Sequence, residues 1–215
     1  MHYQIKNNTI IYDFQKSLNF ITQKGKAIYG PKFQLHDEDM PIIRKLFAYT
    51  INDYPTTTSQ GLDPRKGLML CGPIGCGKTS LMKLLQLLLP IEYRYQVKAC
   101  RDISFEFQQD GFEVIHRYSK RSFDISPGRK IPKPICLDDL GAEQSIKHFG
   151  SECNAIAEIL LSRYDLFISD KLITHITSNL GPSDIEKFYG ERVRSRLREM
   201  VNVISFSKGT VDKRK

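Results

Sequence analysis

Residues 67–80 read GLMLCGPIGCGKTS, an apolar run followed at once by three glycines, a lysine and a threonine. Gly72-Pro73-Ile74-Gly75-Cys76-Gly77-Lys78-Thr79 fits the pattern G-x-x-x-x-G-K-[ST] at every fixed position. Glycine takes positive φ without steric cost, so such a loop curls and turns its backbone N–H groups inward. A helix starting where the loop ends adds partial positive charge. The stretch therefore predicts a short buried strand over "GLMLC", a phosphate-binding loop from Gly72 to Ser80, and a helix beyond it. Lys78 is placed to reach the β- and γ-phosphates of a nucleotide, and the Thr79 hydroxyl to ligate Mg²⁺. Cys76 fills a free position of the pattern and reads as a small spacer rather than a nucleophile. Cys71 and Cys136 fall on inferred core strands as small hydrophobes.

A nucleotide site of this kind needs an acid at the end of a neighbouring strand. Ile135-Cys136-Leu137-Asp138-Asp139 supplies apolar residues and then two carboxylates. Asp138 is read as the metal-side acid, and Asp139 as the group that orients or deprotonates the attacking water. Glu143 rivals Asp139 for that role, or is a loop acid with no part in it.

Outward from these motifs the chain alternates. "YQVKAC" (95–100), "LITHITSNL" (172–180) and "VNVISFS" (201–207) read as strands, making five with "GLMLC" and "ICLDDL" (135–140). "KTSLMKLLQLLL" (78–89) is apolar nearly all round, a helix covered by neighbours and stopped by Pro90. "ISFEFQQDGFEVIHRYS" (103–119), weakened by Gly111, "NAIAEILLSRYDLFI" (154–168) and "PSDIEKFYGERVRSRLREM" (182–200) read as helical. In "DEDMPIIRKLFAYTIND" (37–53), acids at the front precede Ile42, Ile43, Leu46, Phe47 and Ile51 at helical spacing. "YPTTTSQGLDPRKG" (54–67) and "RSFDISPGRKIPKP" (121–134) read as loops, and residues 1–34 carry no clear pattern. Strands alternating with helices predict an α/β fold: a five-stranded parallel sheet with helices on both faces. Residues 1–55 are expected to form a short N-terminal segment, and 56–215 the core.

Two further features bear on the γ-phosphate. Asn179 stands at the tip of an otherwise apolar strand, where its amide can bond the phosphate or the attacking water, or instead cap the helix after "GPSD". In "GERVRSRLREM", Arg192, Arg194, Arg196 and Arg198 alternate with Val193, Ser195 and Leu197. On a helix Arg192 and Arg196 share a face, with Glu199 nearby. They form a solvated basic helix, an arginine finger for a neighbouring subunit's ATP, or a set of nucleic-acid phosphate contacts.

With 215 residues, 40% apolar and 26% charged, the chain has the size and composition of one globular domain. No apolar run approaches the ~20 residues that span a bilayer. The N-terminus "MHYQIKNNTIIYDF" lacks an apolar secretory core. Five cysteines without a C-x-x-C pair argue against a disulfide framework and a zinc site. A soluble cytoplasmic protein with no membrane partner is expected. The net charge of +8 suits an anionic partner, nucleic acid first. No sequence-specific DNA-reading motif appears.

The succession "GPIGCGKTS", "ICLDDLGAE", "ITSNL" and "GERVRSRL" resembles the DnaC/IstB branch of AAA+ P-loop ATPases, over about residues 60–207. That branch includes helicase loaders and ATP-dependent regulators of some transposases. The resemblance implies an AAA+ core without a C-terminal helical lid, with ATP and Mg²⁺ as cofactors. By position, Lys78 and Thr79 match Walker A, Asp138 and Asp139 match Walker B, Asn179 looks like sensor 1, and Arg196 falls at the arginine finger, with Arg192 one turn before it. It also implies self-association through the ATP interface, a replicative helicase as partner, and single-stranded DNA. "AIYGPKF" (27–33) would then be the linker touching adenine, with Tyr29 against the base, or Tyr29 is a core residue. An IstB-like transposition regulator shares every motif. A small-molecule P-loop kinase is the alternative of another class, with "SPGRK" (126–130) as its sole and short lid.

Overall fold

The structure, a computed structural model, describes residues 2–6, 9–126, 129–143, 146–148, 151–207, 209–210 and 212–213. The chain divides into two compact units: Met1–Pro64 with Thr79–Arg94, and Arg65–Lys78 with Tyr95–Lys215.

In the first unit, β1 (Tyr3–Lys6) and β2 (Thr9–Tyr12) form an antiparallel hairpin. Aromatic packing anchors it, His2 stacking on Phe20 at 4.2 Å between ring centroids. Helix α1 (Phe14–Tyr29) starts where the Asp13 carboxylate accepts the Lys16 N–H at 2.8 Å, and stops at Gly30, whose φ of +101° a side chain resists. So residues without a clear sequence pattern are ordered by caps and rings. An acidic 3-10 turn (Asp37–Asp39) leads into α2 (Met40–Thr50), which buries Ile43, Leu46 and Phe47 at the expected spacing. The expected loop after it contains a short helix, α3 (Tyr54–Ser59), because Asp53 caps the Thr56 N–H at 3.1 Å and Pro55 suits a first turn. Helix α4 (Lys78–Leu85) runs on as a 3-10 turn (Gln86–Leu88) before Pro90, and Leu81, Met82, Leu84 and Leu85 are all buried. The Tyr12 hydroxyl donates to the Leu88 carbonyl at 3.1 Å, fastening the hairpin to that turn.

The second unit is built on the sheet. Its strands are β3 (Gly67–Cys71), β4 (Gln96–Ala99), β7 (Ile135–Leu140), β10 (Thr174–Ser178) and β11 (Val201–Ser205), in spatial order β11-β3-β10-β7-β4, every pairing parallel. A parallel ladder is covered on both faces, which is why β3, β7 and β10 read as near-continuous buried runs. Between β4 and β7 lie α5 (Cys100–Asp110), α6 (Glu113–Tyr118), β5 (Phe123–Ser126) and β6 (Arg129–Pro132). Then follow β8 (Ile146–His148), β9 (Ser151–Cys153) and α7 (Ala155–Asp170), and α8 (Pro182–Met200) joins β10 to β11. Met69, Leu137 and Ile176 of the sheet pack in one core with Phe107, Ile159 and Leu197 of the helices.

Three expectations change in detail. The single helix over 103–119 is two, divided at Gly111 with φ +59°. The loop over 121–134 contains an antiparallel hairpin, Phe123 pairing Pro132 and Ile125 pairing Lys130. Its proline and glycine content hid the strands, and Pro127 and Gly128 of the candidate lid lie outside the described residues. The helix over 182–200 breaks at Gly190, φ +84°.

Two buried polar side chains brace the sheet. Arg163 of α7 is 0% exposed and donates to Thr174 Oγ1 (2.7 Å), the Tyr118 carbonyl (2.8 Å), Ser122 Oγ (3.0 Å) and the Ile173 carbonyl (2.9 Å). Burial lowers its pKa to about 9. His175 Nδ1 accepts the Leu68 N–H at 3.1 Å, and burial lowers this imidazole to about 3. It is a neutral acceptor inside the sheet.

Candidate functional site

Strand register brings the motifs to one edge. Ser178, the last residue of β10, is level with Cys71 of β3 on one side and Leu140 of β7 on the other. The glycine loop, the acidic pair and Asn179 therefore leave the sheet together, at the carboxyl ends of three adjacent strands. This is where ligands bind in open α/β sheets. The loop is tied to the central strand, Gly72 donating its N–H to the Ser178 carbonyl at 3.2 Å.

Within the loop, Gly75 (φ +83°) and Gly77 (φ +97°) hold left-handed conformations that turn the backbone around. Lys78 is 7% exposed, its ammonium donating to the carbonyls of Gly72 and Pro73 at 2.9 Å each. Thr79 and Ser80 follow in the first turn of α4. Pro73 is half-buried and Ile74 exposed at the crest of the loop. Cys76 is buried, its sulfur 3.7 Å from Lys78 Nζ, in keeping with a packed spacer. Burial pushes the Cys71 thiol up to about 11 and Cys100 well above its usual value, so both pack as neutral thiols.

The acidic pair sits in a bulge. Between Ile176–Leu137 and Ser178–Leu140 the β10/β7 ladder slips, so that Asp138 and Asp139 face Thr177 alone. Asp139 has φ +61°, a left-handed conformation that aspartate tolerates better than most residues. Thr177 Oγ1 donates to Asp138 Oδ1 at 2.7 Å and accepts the Asp139 N–H at 2.8 Å. Asp138 is buried at 8% exposure, whereas Asp139 is exposed. Glu143, the rival for the water, is engaged. It accepts the Gly141 N–H at 2.9 Å and the Tyr189 hydroxyl proton. Burial, with Glu143 beside it, raises the Tyr189 pKa.

Asn179 is exposed beyond β10. The N-terminus of α8 is closed by Asp184, whose carboxylate accepts the Gly181 N–H at 3.3 Å, so Asn179 is not the cap of that helix. On α8, Val193, Leu197 and Met200 are buried, while Arg192 is exposed and Arg196 half-exposed on the adjoining face. Arg194 pairs with Glu186.

One contact had no signal beyond an acid inside a basic tail. Lys213 donates its N–H to the Gly75 carbonyl (3.1 Å) and its ammonium to the Cys76 carbonyl (3.2 Å). The Asp212 carboxylate packs on Gly75 so closely that a Cβ there would lie 2.1 Å from Oδ1. The tail thus rests on the phosphate loop.

Among the described residues no cluster of three or more His, Cys, Asp or Glu could hold a metal. Few protein ligands suit Mg²⁺, which keeps its waters and binds through one or two oxygen side chains and a nucleotide's phosphates. A buried carboxylate steered by a hydroxyl fits that demand. No helix of the structure is long and apolar enough to cross a membrane.

This sheet order, with the glycine loop after β3 and the acidic pair on β7, is the fold of AAA+ P-loop proteins. Among solved structures, the chain resembles the DnaC helicase loader (TM-score 0.56, 17% identity, covering 81% of this chain and 93% of that one). It resembles DnaI as well (0.52, 19%, 81% and 88%). A candidate primosome component from Streptococcus pyogenes serotype M3 is similar to the same degree (0.55, 18%, 82% and 83%). At these identities the likeness is one of fold. No protein-family model matches the chain, and no curated protein matches it in sequence.

Proposed function

We propose that the chain is a DnaC-like loader of a replicative helicase: a cytoplasmic ATPase that self-associates through its ATP sites and holds single-stranded DNA. The observation that carries this reading is the convergence of the glycine loop, the Asp138–Asp139 pair and Asn179 at one sheet edge. The likeness in fold to helicase loaders and the net charge of +8 support it.

In this reading Gly72–Gly77 and the start of α4 hold the phosphates, with Lys78 on the β- and γ-phosphates. Thr79 and Asp138 are the Mg²⁺-side groups; the cation supplies charge neutralisation at the transferred phosphoryl group. Asp139 orients the attacking water, and Asn179 senses the γ-phosphate. Arg196, with Arg192 beside it, completes the site of a second copy. Residues 1–55 offer contacts to the helicase. An IstB-like transposition regulator shares this chemistry and differs in its partner.

Light scattering with and without ATP and single-stranded DNA tests the reading. Assembly that needs both ligands is the expected result, and Lys78→Ala abolishes it by removing nucleotide binding. A constant monomer that phosphorylates a small acceptor would replace the loader with a kinase.

A further inference from the structure

We infer that Thr177 is a positioning residue for the hydrolytic centre, an assignment that rests on the ATPase reading above. A bulge sets two residues of one strand against one of its partner and leaves the extra residue's backbone outside the ladder. Here the two residues are Asp138 and Asp139, and the one is Thr177. The Asp139 N–H, lost to the ladder, is taken up by the Thr177 hydroxyl oxygen at 2.8 Å. The single hydroxyl proton points the other way, to Asp138 Oδ1 at 2.7 Å. One buried oxygen therefore satisfies the bulge and aims the metal-side carboxylate.

The arrangement is fixed on every side. Thr177 is 0% exposed, and its branched Cβ restricts χ1. Its backbone is in register with Leu70 of β3. Because the hydroxyl has one proton, and the Asp139 N–H can only donate, the direction of both bonds is set. Asp138 accepts at Oδ1, which directs its other oxygen, and Asp139 is held left-handed with its side chain exposed. A carboxylate steered by a hydrogen-bonded neighbour is the usual means of orienting a group that meets a metal.

Thr177→Val keeps the shape and removes the hydroxyl; Thr177→Ser keeps the hydroxyl and removes the methyl. The measurement is the Mg²⁺ dependence of affinity for a fluorescent ATP analogue, with turnover alongside and circular dichroism to confirm folding. Thr177→Val is expected to bind the Mg²⁺-free nucleotide like wild type, and to lose about 10- to 100-fold in both Mg²⁺ half-saturation and kcat. Thr177→Ser stays within about threefold of wild type in both. Should the valine variant not fold, Thr177→Cys, with its weak donor, is expected to show the same loss against serine. Valine at wild-type levels, or serine impaired as much as valine, overturns the assignment. Wild-type protein that binds no nucleotide overturns the ATPase reading instead, so the two failures are distinct.

Discussion

The Arg196 guanidinium lies over the ring of Tyr164, its Cζ 4.3 Å from the ring centroid, and donates to the Tyr164 hydroxyl at 3.1 Å. That hydroxyl donates in turn to Glu199 at 2.7 Å. A half-exposed arginine is thus held along α7 in one orientation, at little cost to the fold. Arg196→Ala is expected to leave stability and nucleotide affinity unchanged, and to lower assembly-stimulated hydrolysis on the order of 10³-fold. Arg196→Lys does not restore it, because an ammonium lacks the planar fork. Phosphate release measured against protein concentration decides; a variant at the wild-type rate removes the finger role.

The tail contact predicts an effect of opposite sign. The Asp212 carboxylate against Gly75 is a like charge to any phosphate entering the loop. Asp212→Asn, which removes the negative charge and keeps the surrounding cations, is expected to bind ATP more tightly. Roughly 1 kcal/mol for one such charge in a hydrated setting corresponds to about fivefold in Kd. Titration with a fluorescent ATP analogue reads this directly, and an unchanged Kd would show that the tail lies elsewhere in solution.

His175 makes stability depend on acid. Its pKa in the folded chain is about 3, against an ordinary value of 6.5, so between these values the unfolded chain binds the extra proton. Its contribution is complete above about pH 6.5 and is lost as pH falls toward 3, with a slope on the order of 1 kcal/mol per pH unit. His175→Gln, which keeps an acceptor for the Leu68 N–H, is expected to flatten that slope in urea melts at pH 4, 5 and 6. An identical slope in the variant would place the acid sensitivity elsewhere.

Arg163 supports more than its own helix, since its four bonds join α7 to β10 and to the residues before the β5–β6 hairpin. Arg163→Met fills the space and leaves three buried acceptors and one half-buried carbonyl without the guanidinium. A loss of about 3 kcal/mol or more in unfolding free energy is expected. Lysine is no substitute, because one ammonium cannot span four diverging acceptors. Chemical denaturation of both variants checks this.

Much of the candidate site's layout was legible because its patterns are local. A glycine loop between a strand and a helix, and two acids ending an apolar run, are short-range patterns, and three of the five strands are buried runs. What escaped was decided over long range. Thr177 looks like any strand threonine until the ladder slip sets it against the acidic pair. Glu143 looks like an open loop acid until Tyr189, 46 residues on, takes its carboxylate. The β5–β6 hairpin carries prolines that suit edges and turns alike, and the α1 helix depends on a cap and aromatic contacts that periodicity does not record.

The twisted backbone at Asp139 also limits which replacements can be interpreted. At φ +61°, asparagine is as comfortable as aspartate, whereas alanine or glutamate adds a conformational penalty to the loss or displacement of charge. An inactive Asp139→Ala protein would therefore confound geometry with chemistry. The amide exchange isolates the carboxylate, and glycine, which relaxes the peptide while deleting the acid, makes its natural counterpart.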